Sequence, residues 1–161
     1  MREAGVVLNK AGQPIYWHVP EDRLAHKLPD SQALWDFMWD NREDVLGFAH
    51  SHPGGGVPGP SYEDVTSFSG NELGLGRRLE WWITSSDSMV RLRWVGPEKY
   101  DYASFILTVE PYWADELRRR TEGLTDIVLR ARHNTLAFLE GEGPRPTEDE
   151  IATIRREWSI T

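Results

Sequence analysis

The stretch Gly47-Phe48-Ala49-His50-Ser51-His52-Pro53 through Pro60-Ser61-Tyr62-Glu63-Asp64 decides the fold and the chemistry of this chain. Val45 to Ala49 is a continuous apolar run, as a buried central strand requires, and it delivers His50 to its C-terminal end. Alternate residues of a strand share a face, so His50 and His52 point one way and Ser51 the other. A glycine- and proline-rich loop then turns the chain back, and Ser61-x-x-Asp64 opens a helix with Ser as N-cap and an acid at N3. Two imidazoles and a carboxylate brought together offer three ligands to one ion at about 2 Å each. The fourth tetrahedral position stays open for water, which is how a catalytic zinc is held rather than a structural one. A lone HxH pair is a weak signal, and a capping box alone accounts for Ser61 and Asp64. Jointly, however, the four residues fall at this spacing by chance in about one chain in several thousand at average usage, so the joint reading is preferred.

His50-Ser51-His52-Pro53, seven residues, then Ser61-x-x-Asp64 resembles, position for position, the signature of the JAMM (MPN+) zinc metallopeptidases, which include the prokaryotic JAB proteins. Outside residues 50–64 the resemblance is looser, reaching from about Glu3 to Val95, and the last third of the chain finds no support in it. The fold it implies is α/β, a JAMM/MPN-type (cytidine deaminase-like) central mixed β-sheet flanked by α-helices, with an additional helical C-terminal region. The ligand set it implies is one Zn2+ per chain on His50, His52 and Asp64. It also implies a general base, a Glu at the start of a strand some tens of residues ahead of the His pair, and Glu3-x-Gly5-Val6-Val7-Leu8 fits that place. Glu21, in a Pro-flanked loop, and Glu43, in the loop entering the His strand, fit it less well. The counterpart of Ser61 in the family helps to stabilise the tetrahedral oxyanion. Members usually carry a strand and a helix ahead of the base. Only two residues precede Glu3 here, so that element is absent or is replaced, with the helical C-terminal third as the expected substitute.

The family removes ubiquitin or ubiquitin-like proteins from lysine amines, or trims small carrier proteins at their C-terminal glycine. The expectation is therefore a zinc-dependent (iso)peptidase acting after the C-terminal glycine of a ubiquitin-like protein, by deconjugation or by precursor processing. That protein or its conjugate would be the substrate, with activating or conjugating enzymes of the same system as further partners. One alternative is a maturation protease for another protein, such as a phage structural protein. A second is a non-catalytic MPN-like scaffold, although such scaffolds have lost ligands and none is missing here. A two-His-one-carboxylate iron oxygenase uses the same ligand types but keeps more open positions, and the order here is atypical for it. The metallo-β-lactamase pattern needs an Asp shortly after HxH, where this chain has Pro53-Gly54.

Composition bounds these readings. A chain of 161 residues is long enough to bury a core without staples. It has no cysteine, which excludes disulfides, a thiolate metal site and a cysteine nucleophile. A formal net charge of −8 argues against a nucleic-acid surface. No apolar run approaches the ~20 residues of a membrane span, and the N-terminus lacks a signal-peptide profile, so a cytoplasmic protein without membrane partners is expected. Eight tryptophans point to core use and to a possible contact surface.

Around the central stretch, residues 1–96 read as the catalytic core and 97–161 as a mostly helical extension packed on the core or on a partner. Gly5 to Asn9 and Pro14 to Val19 read as a hairpin, and His26 in the following polar loop as exposed. Asp30-Ser31 opens a helix through about Arg42. The helix from Ser61 is expected to end near Ser69, with Gly70 to Arg78 a loop. The triple glycine at Gly54 to Gly56 lacks the context of a phosphate cradle and suits a substrate backbone passing close to the metal. Leu79 to Thr84 and Ser88 to Val95 read as a second hairpin, with Arg91 and Arg93 on its solvated face. Tyr100 to Val109 fits strand or helix equally, and Pro111 marks a first helical position for Tyr112 to Thr121. Leu124 to Phe138 keeps helical spacing around a structural or exposed His133, Gly143 to Pro146 is a linker, and Thr147-x-x-Glu150 caps a last helix to about Trp158.

Overall fold

In the computed structural model the structure describes residues 2–24 and 27–121. His26, His133, the helices expected beyond Leu124 and the linker at Gly143 lie outside the described residues. The first two strands, β1 (Gly5–Asn9) and β2 (Pro14–His18), form the expected antiparallel hairpin. Its turn closes because the Asn9 side chain accepts the Gln13 N–H at 2.8 Å while Gly12 takes φ 78°. α1 (Gln32–Asp40) starts where the sequence announces it, with Ser31 Oγ accepting the Leu34 N–H at 3.0 Å. Then follow β3 (Val45–Ser51), α2 (Tyr62–Leu75), β4 (Glu80–Thr84), β5 (Met89–Trp94), β6 (Tyr102–Ile106) and α3 (Ala114–Arg120).

The six strands form one mixed sheet in the order β2-β1-β3-β4-β5-β6. β3 and β4 are parallel, joined through α2, and every other pair is antiparallel. β3 therefore lies in the interior of the sheet, as its unbroken apolar run requires. The stretch that fits strand and helix equally becomes β6, because its residues pair with β5 from Val90↔Ile106 to Trp94↔Tyr102.

Strand alternation divides the core into two layers. On one face Val7, Phe48, Trp81, Ile83, Val90 and Leu92 pack against Leu34 and Met38 of α1 and Phe68 and Leu75 of α2. On the other face Val6, Leu8, Ala49, Trp82 and Met89 pack against Trp113, Ala114 and Leu117 at the start of and along α3. Adjacent Trp81 and Trp82 thus serve opposite layers, Trp81 stacked on Phe68 at 4.3 Å and Trp82 edge-on to Trp113 at 5.8 Å.

Two helix boundaries differ from expectation. α2 does not stop near Ser69 but runs to Leu75 and ends at Gly76, which adopts the left-handed conformation at φ 73°. Gly70 and Gly74 are helical residues and not breakers. A Cβ on Gly74 would stand 2.6 Å from Trp35 Cη2, so glycine there lets α1 and α2 approach. The final turn is pinned by buried Glu72, which accepts from Leu79 N at 2.9 Å, Trp81 Nε1 at 3.1 Å, Arg78 Nη1 at 3.0 Å and the Tyr102 hydroxyl. That tertiary network outweighs the modest helix cost of the glycines. α3 begins at Ala114 and not at Pro111 or Tyr112. Pro111 instead opens a turn whose carbonyl accepts the Ala114 N–H at 3.0 Å.

The parallel β3–β4 contact leaves no room at Gly47, where a Cβ would run into the Glu80 carbonyl. Gly47→Ala is expected to cost at least the upper end of the usual 1–3 kcal/mol for overpacking. That corresponds to a fall in Tm of about 6–12 °C. Thermal unfolding followed by circular dichroism checks this, and a wild-type Tm would contradict the packing described for the sheet.

Candidate metal centre

Strand register brings the candidate residues together. Gly5 pairs with His18 on one side and with His50 on the other, so His18, Gly5 and His50 stand in a row across three strands. His50 is buried on the α1/α2 face, and His52 follows with the same parity just past the strand end. Ser51 turns to the opposite layer. Its Oγ accepts the Ala4 N–H at 3.0 Å and the Thr121 hydroxyl at 2.5 Å, and its own N–H reaches the Ala4 carbonyl at 3.0 Å. These bonds hold Glu3 and Ala4 alongside the end of β3. The Glu3 N–H donates to the Leu24 carbonyl at 2.9 Å, and its carboxyl side chain is buried.

The loop from Pro53 to Pro60 carries the chain back to α2 and is fastened to the β4–β5 turn. Gly56 N donates to Asp87 Oδ1 at 2.7 Å, Ser85 Oγ donates to the Gly56 carbonyl at 2.5 Å, and Ser86 N reaches the Gly54 carbonyl at 2.8 Å. The turn is gripped in its turn by Arg118 of α3, fully buried, which donates to the Ser85 carbonyl at 2.8 Å and pairs with both oxygens of Glu110. The capping box at the start of α2 is complete, with Asp64 N to Ser61 Oγ at 3.0 Å and Ser61 N to Asp64 Oδ2 at 2.9 Å.

Asp64 also completes a triangle of donor atoms. His50 Nε2 lies 3.0 Å from His52 Nε2 and 3.2 Å from Asp64 Oδ1, and His52 Nε2 lies 3.1 Å from Asp64 Oδ2. Ligands at 2.0–2.1 Å around a tetrahedral ion stand about 3.3 Å apart, so the triangle fits an ion of zinc's size with little adjustment. Among the described residues, His50, His52 and Asp64 form the group whose side chains could hold a metal ion.

The electrostatics follow from burial and from this triangle. Burial pushes the Glu3 carboxyl up to about 7, with Asp64 and Glu63 adding to the rise and His52 opposing it. Burial would raise Asp64 as well, but the hydrogen bonds from His50 and His52 outweigh it and hold this carboxyl well below the usual carboxylate range. For His52, burial lowers the value, yet the bond to Asp64 and the Asp64 and Glu3 charges carry it above the ordinary one. A cavity of about 600 Å³ opens beside the triangle between α1 and α2, and Glu3, His50 and Asp64 all line it.

An α/β chain with a mixed sheet and a His-His-Asp group at the end of a central strand defines a class, and the comparison with known families agrees with it. The model for prokaryotic homologs of the JAB domain matches residues 3–96, more than half of the chain, and the chain belongs to that family. No curated protein matches the sequence. JAB-domain proteins include metalloproteases, and the three donors give this member a possible metal site. No described helix is long and apolar enough to cross a membrane.

The five residues singled out in the sequence fall in one neighbourhood, with Ser61 exposed at the helix start and Glu3 buried on the cavity side. Glu21 and Glu43 are exposed and do not line the cavity. Three residues near the site were not foreseen. His18 lines the cavity, with Nε2 2.6 Å from the Pro29 carbonyl and its basicity lowered by burial. Counting the hairpin register would have found it, since Gly5 fixes His18 and His50 on one face. Glu63 also lines the cavity, one residue before Asp64. Arg118, which steadies the loop through Ser85, carries no local sequence signal.

The raised Glu3 value has a sign that can be checked on metal-free protein. The folded chain holds this proton more tightly than the unfolded chain, whose carboxyl has the ordinary value near 4.5. The stabilisation is therefore full below about pH 4.5 and is lost as pH rises through about 7. Glu3→Gln stays neutral throughout. In the presence of a chelator its Tm should exceed that of the wild type at pH 8, and the difference should vanish below pH 4.5. A pH-independent difference would contradict the burial of this carboxyl.

Proposed function

We propose that the protein is a zinc-dependent (iso)peptidase that hydrolyses the amide bond after the C-terminal glycine of a ubiquitin-like protein. The observation that carries it is the pairing of a three-donor triangle with a buried carboxyl, Glu3, on one cavity. His50, His52 and Asp64 would hold the ion. A zinc ion there supplies Lewis-acid polarisation of the scissile carbonyl and acidifies water. Glu3, buried on the same cavity, would accept a proton from water and hand it to the leaving amine. Ser61 accepts the Asp64 N–H through Oγ, so its hydroxyl proton remains to be directed at the negative charge that develops on the carbonyl oxygen. The glycine-rich loop suits an extended acyl partner of small residues, and glycine at the scissile position avoids a Cβ clash near the ion. The ubiquitin-like protein or its conjugate is the proposed substrate, with enzymes of the same conjugation system as further partners.

Elemental analysis of fresh protein should give one zinc per chain, and His52→Ala should lose it while His18→Ala keeps it. Stoichiometry near zero, with no uptake on adding zinc, would remove the basis of the proposal. Glu3→Gln should retain zinc and lose about 10²–10⁴-fold in hydrolysis. The reaction itself is read by intact mass on a ubiquitin-like fusion, where cleavage elsewhere than after the terminal glycine would favour a maturation protease for another protein.

A further inference from the structure

The cavity beside the triangle has an apolar floor and a charged rim. Its deep side is made of Leu34, Phe48, Phe68 and Trp81, all buried, while Lys27, Asp30 and Glu63 at its mouth are exposed. Its volume of about 600 Å³ falls within the 300–1,000 Å³ of sites that enclose a ligand group, and a glycine tail or a bare methylene chain would leave most of it unfilled. The floor belongs to the main core cluster, so it is rigid and preformed.

We infer that this cavity is the specificity pocket for the leaving amine, and that it selects an amine carrying an aromatic or branched aliphatic side chain. The inference rests on the hydrolase reading above and sharpens it. Glu3 lines the cavity, and the group that returns a proton to the leaving amine must lie within hydrogen-bond reach of it. The amine fragment therefore sits on the cavity side, and the acyl chain runs out on the other. An α-amino residue carries its side chain on the carbon bonded to the nitrogen, within reach of the apolar floor. A lysine Nζ presents only an unbranched stem leading to a folded protein. The preferred substrate is thus a linear precursor whose extension begins with a bulky apolar residue, rather than a lysine isopeptide.

Gly70 supplies the variant. It lies in α2 and lines the cavity, and a Cβ there meets nothing within 4 Å. Gly70→Leu should therefore fold, with better helix propensity, while filling the space. The zinc-loaded full chain is given matched ubiquitin-like fusions whose residue after the scissile glycine is Phe, Leu or Gly, and a lysine isopeptide of the same acyl part. Phe and Leu are expected to be cleaved at least about 10-fold faster than Gly or the isopeptide, as a filled apolar pocket discriminates. Gly70→Leu should abolish that preference. Equal rates across the series, a faster isopeptide, or an unaltered preference in Gly70→Leu overturns the inference. A binding measurement separates it from the hydrolase reading: phenylalaninamide, unlike glycinamide, should raise the Tm of the wild type and not of Gly70→Leu. If nothing is cleaved at full zinc occupancy but this difference holds, the hydrolase reading fails and the leaving-amine role with it, and only the pocket's selectivity for an apolar amine survives. If the difference is absent as well, the pocket assignment is overturned.

Discussion

Asp64 Oδ2 takes the Ser61 N–H at 2.9 Å and stands 3.1 Å from His52 Nε2, so one oxygen joins the first turn of α2 to the end of β3. The other oxygen faces His50 at 3.2 Å. A carboxylate at N3 of a capped helix is held by the helix itself and favoured by its dipole, which makes it a stiff mount for a donor atom. The arrangement works only if the end of β3 and the start of α2 stay in register. Much of the surrounding structure serves that requirement: the close β3–β4 contact at Gly47, the loop from Pro53, and the packing of α2 on Phe48 and Trp81.

The loop is where the requirement is hardest to meet, because it is rich in glycine and loses much conformational freedom on ordering. Its constraint comes from outside. Ser85, Ser86 and Asp87 bond Gly54 and Gly56, and Arg118 bonds Ser85 and Ser88 from α3. Buried Arg118 is itself neutralised by the two Glu110 oxygens and by Asp115. A buried guanidinium with ion pairs and carbonyl acceptors avoids the penalty of an isolated charge. Residues 97–121 thus enter the sheet as β6, cover its second face with α3, and support the loop from Pro53.

The parts legible in the sequence are those fixed by short-range pattern. Strand parity placed His50 and His52 together, the capping box located the start of α2 at Ser61, and turn residues set both hairpins. The parts that were not legible depend on contacts distant in sequence. Gly70 and Gly74 look like helix breakers until Trp35 is seen to lie against Gly74 and Glu72 to bind four groups beyond the helix. Tyr102 to Ile106 has no periodicity that separates strand from helix, and pairing with β5 decides it. Pro111 carries the mark of a first helical residue, yet the turn it opens delays the helix to Ala114. The cavity is the largest omission, since residues of α1, α2 and the sheet line it together and no local pattern encodes that.

Glu3 shows how the same sheet supplies both halves of the candidate chemistry. It lies two residues before Gly5, and Gly5 stands opposite His50, so the antiparallel pairing of β1 with β3 carries the carboxyl to the strand end where the His pair emerges. Gly5 is required there because a Cβ would collide with the Phe48 ring, forcing β1 away from the cavity floor. On the opposite layer Ser51, the residue between the histidines, closes the contact by binding Ala4 through both its N–H and its hydroxyl. Each residue of His50-Ser51-His52 thus has a separate place, two as candidate metal donors and one as the bracket that fixes Glu3 relative to them. Exchanging Ser51 for alanine would remove the hydroxyl half of the bracket, leave its backbone half, and touch none of the donor atoms. The expected result is retained metal binding with a loss confined to proton transfer, a separation that a purely structural role for Ser51 would not produce.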